Sequence, residues 1–173
     1  MKYKAFTAFN YQKLPQIEKL SSEQRTTIDT VSNVFPFKTN NYVVDELIDW
    51  NNFEDDPMFV LNFPQKGMLE PEDFKSMQAL VENEAGKKEI FSEANAIRMK
   101  LNPHPAGQME YNVPELNGEK LLGIQHKYRE TMLFFPTQGQ TCHAYCTFCF
   151  RWPQFTGMDD LKFAMQQADL LVK

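Results

Sequence analysis

The chain has 173 residues, 42% of them hydrophobic and 15 of them phenylalanine, enough to bury one core and too apolar for a disordered segment. Its 18 basic residues are outnumbered by 23 acidic ones, for a net charge of −5 without any long lysine or arginine run. This argues against binding nucleic acid or an anionic membrane surface. No window approaches the roughly 20 apolar residues that span a bilayer. The first ten residues lack the apolar core of a signal peptide, so a reducing cytoplasm is the expected location.

From the N-terminus, Leu14, Ile17, Leu20, Ile28, Val31 and Phe35 recur at mostly helical intervals. They predict two short helices, with Ser21-Ser22-Glu23 as a cap and restart between them and Pro36 as the stop. Val43, Val44, Leu47, Ile48 and Trp50 suit another short helix. Asp55-Asp56-Pro57 reads as a solvated turn to which no chemistry is assigned, followed by an apolar run from Met58 to Pro64 broken by Asn62. Pro71 opens a helix to about Asn83, with Phe74, Met77, Leu80 and Val81 on one face. After Gly86 a second helix carries Ile90, Ala94, Ile97 and Leu101 at steps of three and four.

Prolines and glycines then become dense, in Asn102 to Gly107 and again in Asn112 to Gly118. The expected organisation is a helical section over 1–101, a linker over 102–124 and a second unit over 125–173. In that unit Thr131 to Phe135 is the best strand candidate in the chain, apolar enough to be covered on both faces as in a parallel sheet. A cysteine-rich loop follows, and then a helix opening near Gly157, with Leu161, Ala164, Met165, Ala168 and Leu171 as its apolar face. Strand, loop and helix in this order place the chain in the α/β class.

All three cysteines fall within eight positions, Cys142-His-Ala-Tyr-Cys146-Thr-Phe-Cys149, at the spacing C-x3-C-x2-C. Three thiolates on one compact loop can reach three corners of an iron–sulfur cube, and the absence of a fourth cysteine leaves one iron open. Other uses of these thiols are a Cys3His zinc site drawing on His143, His104 or His126, and free core thiols. A disulfide would leave an odd cysteine in a chain with no mark of secretion.

The cysteine spacing, with Phe148 before the third cysteine, resembles the cluster loop of the radical S-adenosylmethionine (SAM) enzymes. The segment from Gln125-His-Lys-Tyr-Arg-Glu-Thr-Met-Leu-Phe134 through Cys149-Phe-Arg151 narrows the resemblance to the lysine 2,3-aminomutase family. Upstream, Asn62-Phe-Pro-Gln65 and Met68-Leu69 also look similar to it. The resemblance implies a [4Fe-4S] cluster on Cys142, Cys146 and Cys149, with SAM chelating the open iron. It implies that Phe148 packs near the SAM adenine and that Arg151 holds a substrate α-carboxylate. Lys127 and Tyr128 would contact pyridoxal phosphate (PLP).

The implied chemistry is reductive cleavage of SAM followed by 1,2-amino migration on an amino acid or amino-acid side chain. Lysine at 127 replaces a family arginine, which turns a forked phosphate contact into a point charge. Residues 136–141 are longer than their counterpart, and Trp152-Pro153 stand where the family has further arginines. One strand-loop-helix unit is only the start of a radical SAM barrel. The expectation is therefore an N-terminal portion of a longer enzyme, inactive alone and completed by a complementary C-terminal chain or a homo-oligomer. The competing expectation is a non-catalytic zinc-binding or partner-dependent interaction module.

Overall fold

The computed structural model describes residues 2–101 and 111–135, which fall in two compact units. The first is built around helix α1, Ser22–Val34. Ser21 supplies the N-cap: its hydroxyl accepts from the backbone of Gln24 while the Gln24 side chain accepts from the backbone of Ser21. This reciprocal pair satisfies two amides that the first turn of a helix leaves without partners. The restart expected at Ser21-Ser22-Glu23 is thus a capping box. The other expected short helix is the 3-10 turn Pro15–Lys19.

Two apolar clusters meet along α1. Ile28 belongs to one, with Tyr11, Leu20, Phe37, Phe59 and Phe63, while Val31 and Val34 belong to the other, with Phe74, Met77, Ala94 and Ile97. In the first cluster Phe59 stacks on Phe63 at 4.7 Å, and Trp50 stands edge-on to both. The Trp50 ring also donates from Nε1 to the Val44 carbonyl at 2.7 Å, so its polar end is satisfied inside an apolar setting. Tyr11, 1% exposed, donates to Asp29 at 2.7 Å, and burial beside that carboxylate pushes its phenol pKa well up.

A small antiparallel pair, β1 (Ala5–Thr7) with β2 (Lys38–Asn40), closes one side of the first cluster through Phe6. Where a short helix was expected over 41–50, the chain makes a π-helical turn, Val43–Leu47. Its defining bond runs from Ile48 N to Val43 O at 3.2 Å. The wider turn narrows the angle between neighbouring side chains, which lets Val43 and Val44 both face the core.

The stretch expected as a solvated turn and apolar run contains helix α2, Pro57–Asn62. Asp56 is its N-cap: Oδ1 accepts from Met58 N at 2.8 Å and Phe59 N at 2.9 Å, and Oδ2 accepts from Asp49 N at 3.1 Å. The bond from Phe59 is the main cause that holds the Asp56 carboxyl below its usual range. Asp56 thus has a structural task, and Pro57 takes the first helical position, where its missing N–H is harmless.

Helices α3, Pro71–Glu82, and α4, Lys87–Leu101, follow the predicted pattern closely and pack on each other and on α1. Phe74, Met77, Ala94 and Ile97 are buried, and Val81, Ile90 and Leu101 pack at their margin. Between the helices, Ala85 N bonds Leu80 O at 2.9 Å and Glu84 N bonds Val81 O at 3.1 Å. This Schellman cap puts Glu84 at φ 51, a left-handed position that glycine occupies without strain. Gly86, expected to separate the helices, lies two residues further on.

Arg98 ties α4 to the end of α1. Only 7% exposed, it donates from Nε to Val34 O at 2.7 Å, from one terminal nitrogen to Asn33 O at 2.9 Å and from the other to Asn95 Oδ1 at 2.7 Å. Burial lowers its pKa to about 10, so it stays cationic at neutral pH and complements the negative end of α1. At the rim of α4, Lys100 is paired with the buried Asp73 of α3, which raises the Lys100 pKa.

Among the described residues the first unit mixes helix and strand and the second holds strands, with three two-stranded antiparallel sheets in all and no closed barrel. Among them no helix is long and apolar enough to cross a membrane.

Three measurements check these assignments. Arg98→Ala lowers the urea-unfolding free energy by about 2–4 kcal/mol, because one buried and one part-buried carbonyl lose their donor. Arg98→Lys recovers less than half of that, since an ammonium cannot span the same acceptors; full recovery would mean that charge alone matters. Glu84→Gly raises stability by about 0.5–1 kcal/mol by removing left-handed strain. The folded Asp56 carboxyl titrates below its unfolded value of 3.8, so its contribution is present above that pH and fades as pH falls through the folded pKa. Melting temperatures of wild type and Asp56→Ala therefore differ at pH 7 and converge on acidification.

Candidate functional site

The described part of the second unit, 111–135, consists of two hairpins. In the first, β3 (Glu115–Leu116) and β4 (Glu119–Lys120) are joined by Asn117 at φ 53 and Gly118 at φ 83. Two consecutive left-handed residues match the right-handed twist of the flanking strands, which is why Asn-Gly suits a two-residue loop. This hairpin lies inside the stretch expected as linker.

The second hairpin pairs β5 (Ile124–Tyr128) with β6 (Thr131–Phe134). The strand expected at Thr131 to Phe135 is present, but its partner is antiparallel. A two-residue connection, Arg129-Glu130, permits no other direction. Met132 is 49% and Leu133 48% exposed, so these side chains are not covered as the apolar run had suggested.

Gln125 opposes Leu133 and Tyr128 opposes Thr131, which leaves His126 and Lys127 facing Met132 alone. That is a β-bulge, and it re-aims the side chains beside it. Arg129 and Glu130 are not among the positive-φ residues, so the turn lacks the twist of a primed type and the bulge supplies it. His126 N donates instead to Asn112 O at 2.8 Å, on the other edge of β5.

The two PLP candidates named from sequence stand together at the exposed tip of this hairpin. Lys127 Nζ lies 5.3 Å from the centre of the Tyr128 ring, and Tyr128 is 63% exposed. The base is closed: Ile124 is 0% and Phe135 4% exposed, and Phe135 N bonds Gly123 O at 2.7 Å. Both side chains carry donors, an ammonium and a phenol, and both are exposed. His126, weighed as a zinc ligand, is exposed, with Nε2 3.5 Å from Arg129 O.

Cys142, Cys146, Cys149, Phe148, Arg151, His104 and His143 lie outside the described residues. Among the described residues, no group of three or more His, Cys, Asp or Glu side chains could hold a metal ion. The cysteine donor set fits an iron–sulfur group: three thiols within eight positions can meet three corners of a cube-type cluster. The bulge at His126-Lys127 was not foreseen, because neither Arg129 nor Glu130 is a turn-forming residue.

Over 144 residues, 83% of this chain, the protein is 27% identical to one from Aquifex aeolicus (strain VF5) named "Putative L-lysine 2,3-aminomutase". The chain spans about 28% of that relative's length. No protein-family model matches the chain, and no solved structure matches it.

Because Lys127 and Tyr128 are exposed at a hairpin tip, Lys127→Met and Tyr128→Phe change unfolding free energy by less than about 0.5 kcal/mol. A larger loss in thermal or urea denaturation would mean that these side chains hold the bulge rather than wait for a ligand.

Proposed function

We propose that the protein is a radical SAM iron–sulfur protein of the lysine 2,3-aminomutase type. The observation that carries this is the C-x3-C-x2-C arrangement of all three cysteines, in a chain similar over most of its length to a protein bearing an aminomutase name. The coarser statement, radical SAM, rests on both. The finer one, 1,2-amino migration on an amino acid or amino-acid side chain, rests on Arg151, Lys127 and Tyr128.

In this reading Cys142, Cys146 and Cys149 act as thiolates and hold a [4Fe-4S] cluster on residues of the 125–173 portion. The cluster, when bound, supplies the electron that cleaves SAM and begins radical chemistry. Phe148 offers an aromatic face to the adenine. Arg151 presents a planar fork that pairs two oxygens of a carboxylate at once, which orients an amino acid rather than merely attracting it. Lys127 and Tyr128 offer two donors to the phosphate of PLP, the lysine as a point charge.

Anaerobic reconstitution of the chain with iron and sulfide tests the proposal, read by visible absorption, bound iron and electron paramagnetic resonance. Wild type retains close to four irons per chain and its reduced spectrum changes on adding SAM, whereas Cys142→Ala, Cys146→Ala and Cys149→Ala each lose the signal. A chain that retains no iron, or copurifies with air-stable zinc, overturns it.

A further inference from the structure

Segment 2–4 and the π-helical turn bring two tyrosines and a carboxylate to one surface cavity in the first unit. Tyr3, Asn41, Tyr42 and Glu46 line a space of about 450 Å3, and Tyr3 and Tyr42 are 62% and 57% exposed. Exposed aromatic rings are usually scattered; here two converge on the same cavity.

The rings are held by backbone rather than by chance. Asn41 Oδ1 accepts from Lys4 N at 2.8 Å, its Nδ2 donates to Lys2 O at 3.2 Å, and its own N donates to Lys4 O at 3.0 Å. Those three bonds fix the chain on both sides of Tyr3. Asn40 Oδ1 accepts from Tyr42 N and Val43 N, at 3.0 and 3.2 Å, and so starts the turn that carries Glu46 four residues after Tyr42. The same π-helical turn that seats Val43 and Val44 in the core leaves Glu46 exposed beside Tyr42.

The chemistry of the lining selects the ligand. Tyrosine faces are electron-rich and Glu46 is the charged group of the lining, which favours a cation over an anion; Asp45, before it on the same turn, accepts from Gln16 Nε2 at 3.1 Å, and Lys2 and Lys4 flank Tyr3 in the chain. A hard metal ion needs several oxygen ligands in a tight shell, and the lining offers one carboxylate. An organic ammonium, large and weakly hydrated, gains from both the rings and the charge. The neighbouring Lys4 ammonium lies 5.0 Å from the Phe6 ring centre.

We propose that Tyr3, Tyr42 and Glu46 form a binding site for an alkylated ammonium head group. The site is independent of the cluster chemistry and of the PLP candidates.

The test is a titration of the full chain with choline, followed by nuclear magnetic resonance, against its neutral isostere 3,3-dimethylbutan-1-ol. Choline gives saturable millimolar shifts at the amides of 41–46 and the rings of Tyr3 and Tyr42, with affinity at least about fivefold above the alcohol. Tyr42→Ala weakens choline about five- to tenfold, and Glu46→Gln about two- to threefold, while Tyr42→Phe stays within about twofold. Amide shifts remote from the site report whether each variant is folded, and the two conservative variants decide the matter if Tyr42→Ala is not. Absence of saturable shifts at 41–46 overturns the proposal, as does equal affinity for the alcohol.

Discussion

Helix α1 ends against α4, where the Val34 carbonyl is buried and the Asn33 carbonyl partly so. An α-helix leaves its final C=O groups without internal partners, and such groups buried unpaired are costly. Arg98 meets this constraint from 64 residues away along the chain, donating to Val34 O and, through the same planar group, to Asn33 O. The consequence reaches beyond one cap. Val31 and Val34 sit on the last turns of α1 and lie in the second apolar cluster, and Ile28, one turn earlier, lies in the first. Fixing the end of α1 on α4 therefore sets the position of the ridge that both clusters share.

The elements most legible in the sequence are those whose side-chain period matches a single regular geometry. The stripe Ile90, Ala94, Ile97, Leu101 and the face around Phe74 and Met77 are such cases, because amphipathic spacing and burial have one common cause. Geometry departs from the pattern where hydrogen bonds made by particular side chains decide. Asp56 reads as one acid in a turn until its bonds to Met58 and Phe59 are known. Val43 and Val44 fit an α-helix and a π turn equally well by composition. Asn117-Gly118 did carry a hairpin signal, which the surrounding prolines obscured.

For the candidate site, sequence and structure speak about different parts. The cysteine spacing is chemical information that does not depend on the fold around it, since three thiols within eight positions can reach one cluster from any compact loop. Lys127 and Tyr128 depend on the fold entirely. Adjacent residues on a regular strand point to opposite faces, yet the bulge leaves the Lys127 ammonium over the Tyr128 ring.

The Trp50 indole, packed edge-on among phenylalanines and bonded to the Val44 carbonyl, makes the first unit report on itself. The chain has two tryptophans, and the other, Trp152, follows the last cysteine by three positions. Fluorophores are thus divided between the aromatic cluster and the cysteine segment. In a Trp152→Phe chain all indole emission comes from Trp50, and its wavelength reads the packing of the first unit alone. Subtracting that signal from the parent's isolates the emission of the segment beside the thiols, giving two optical channels in one molecule without an added label.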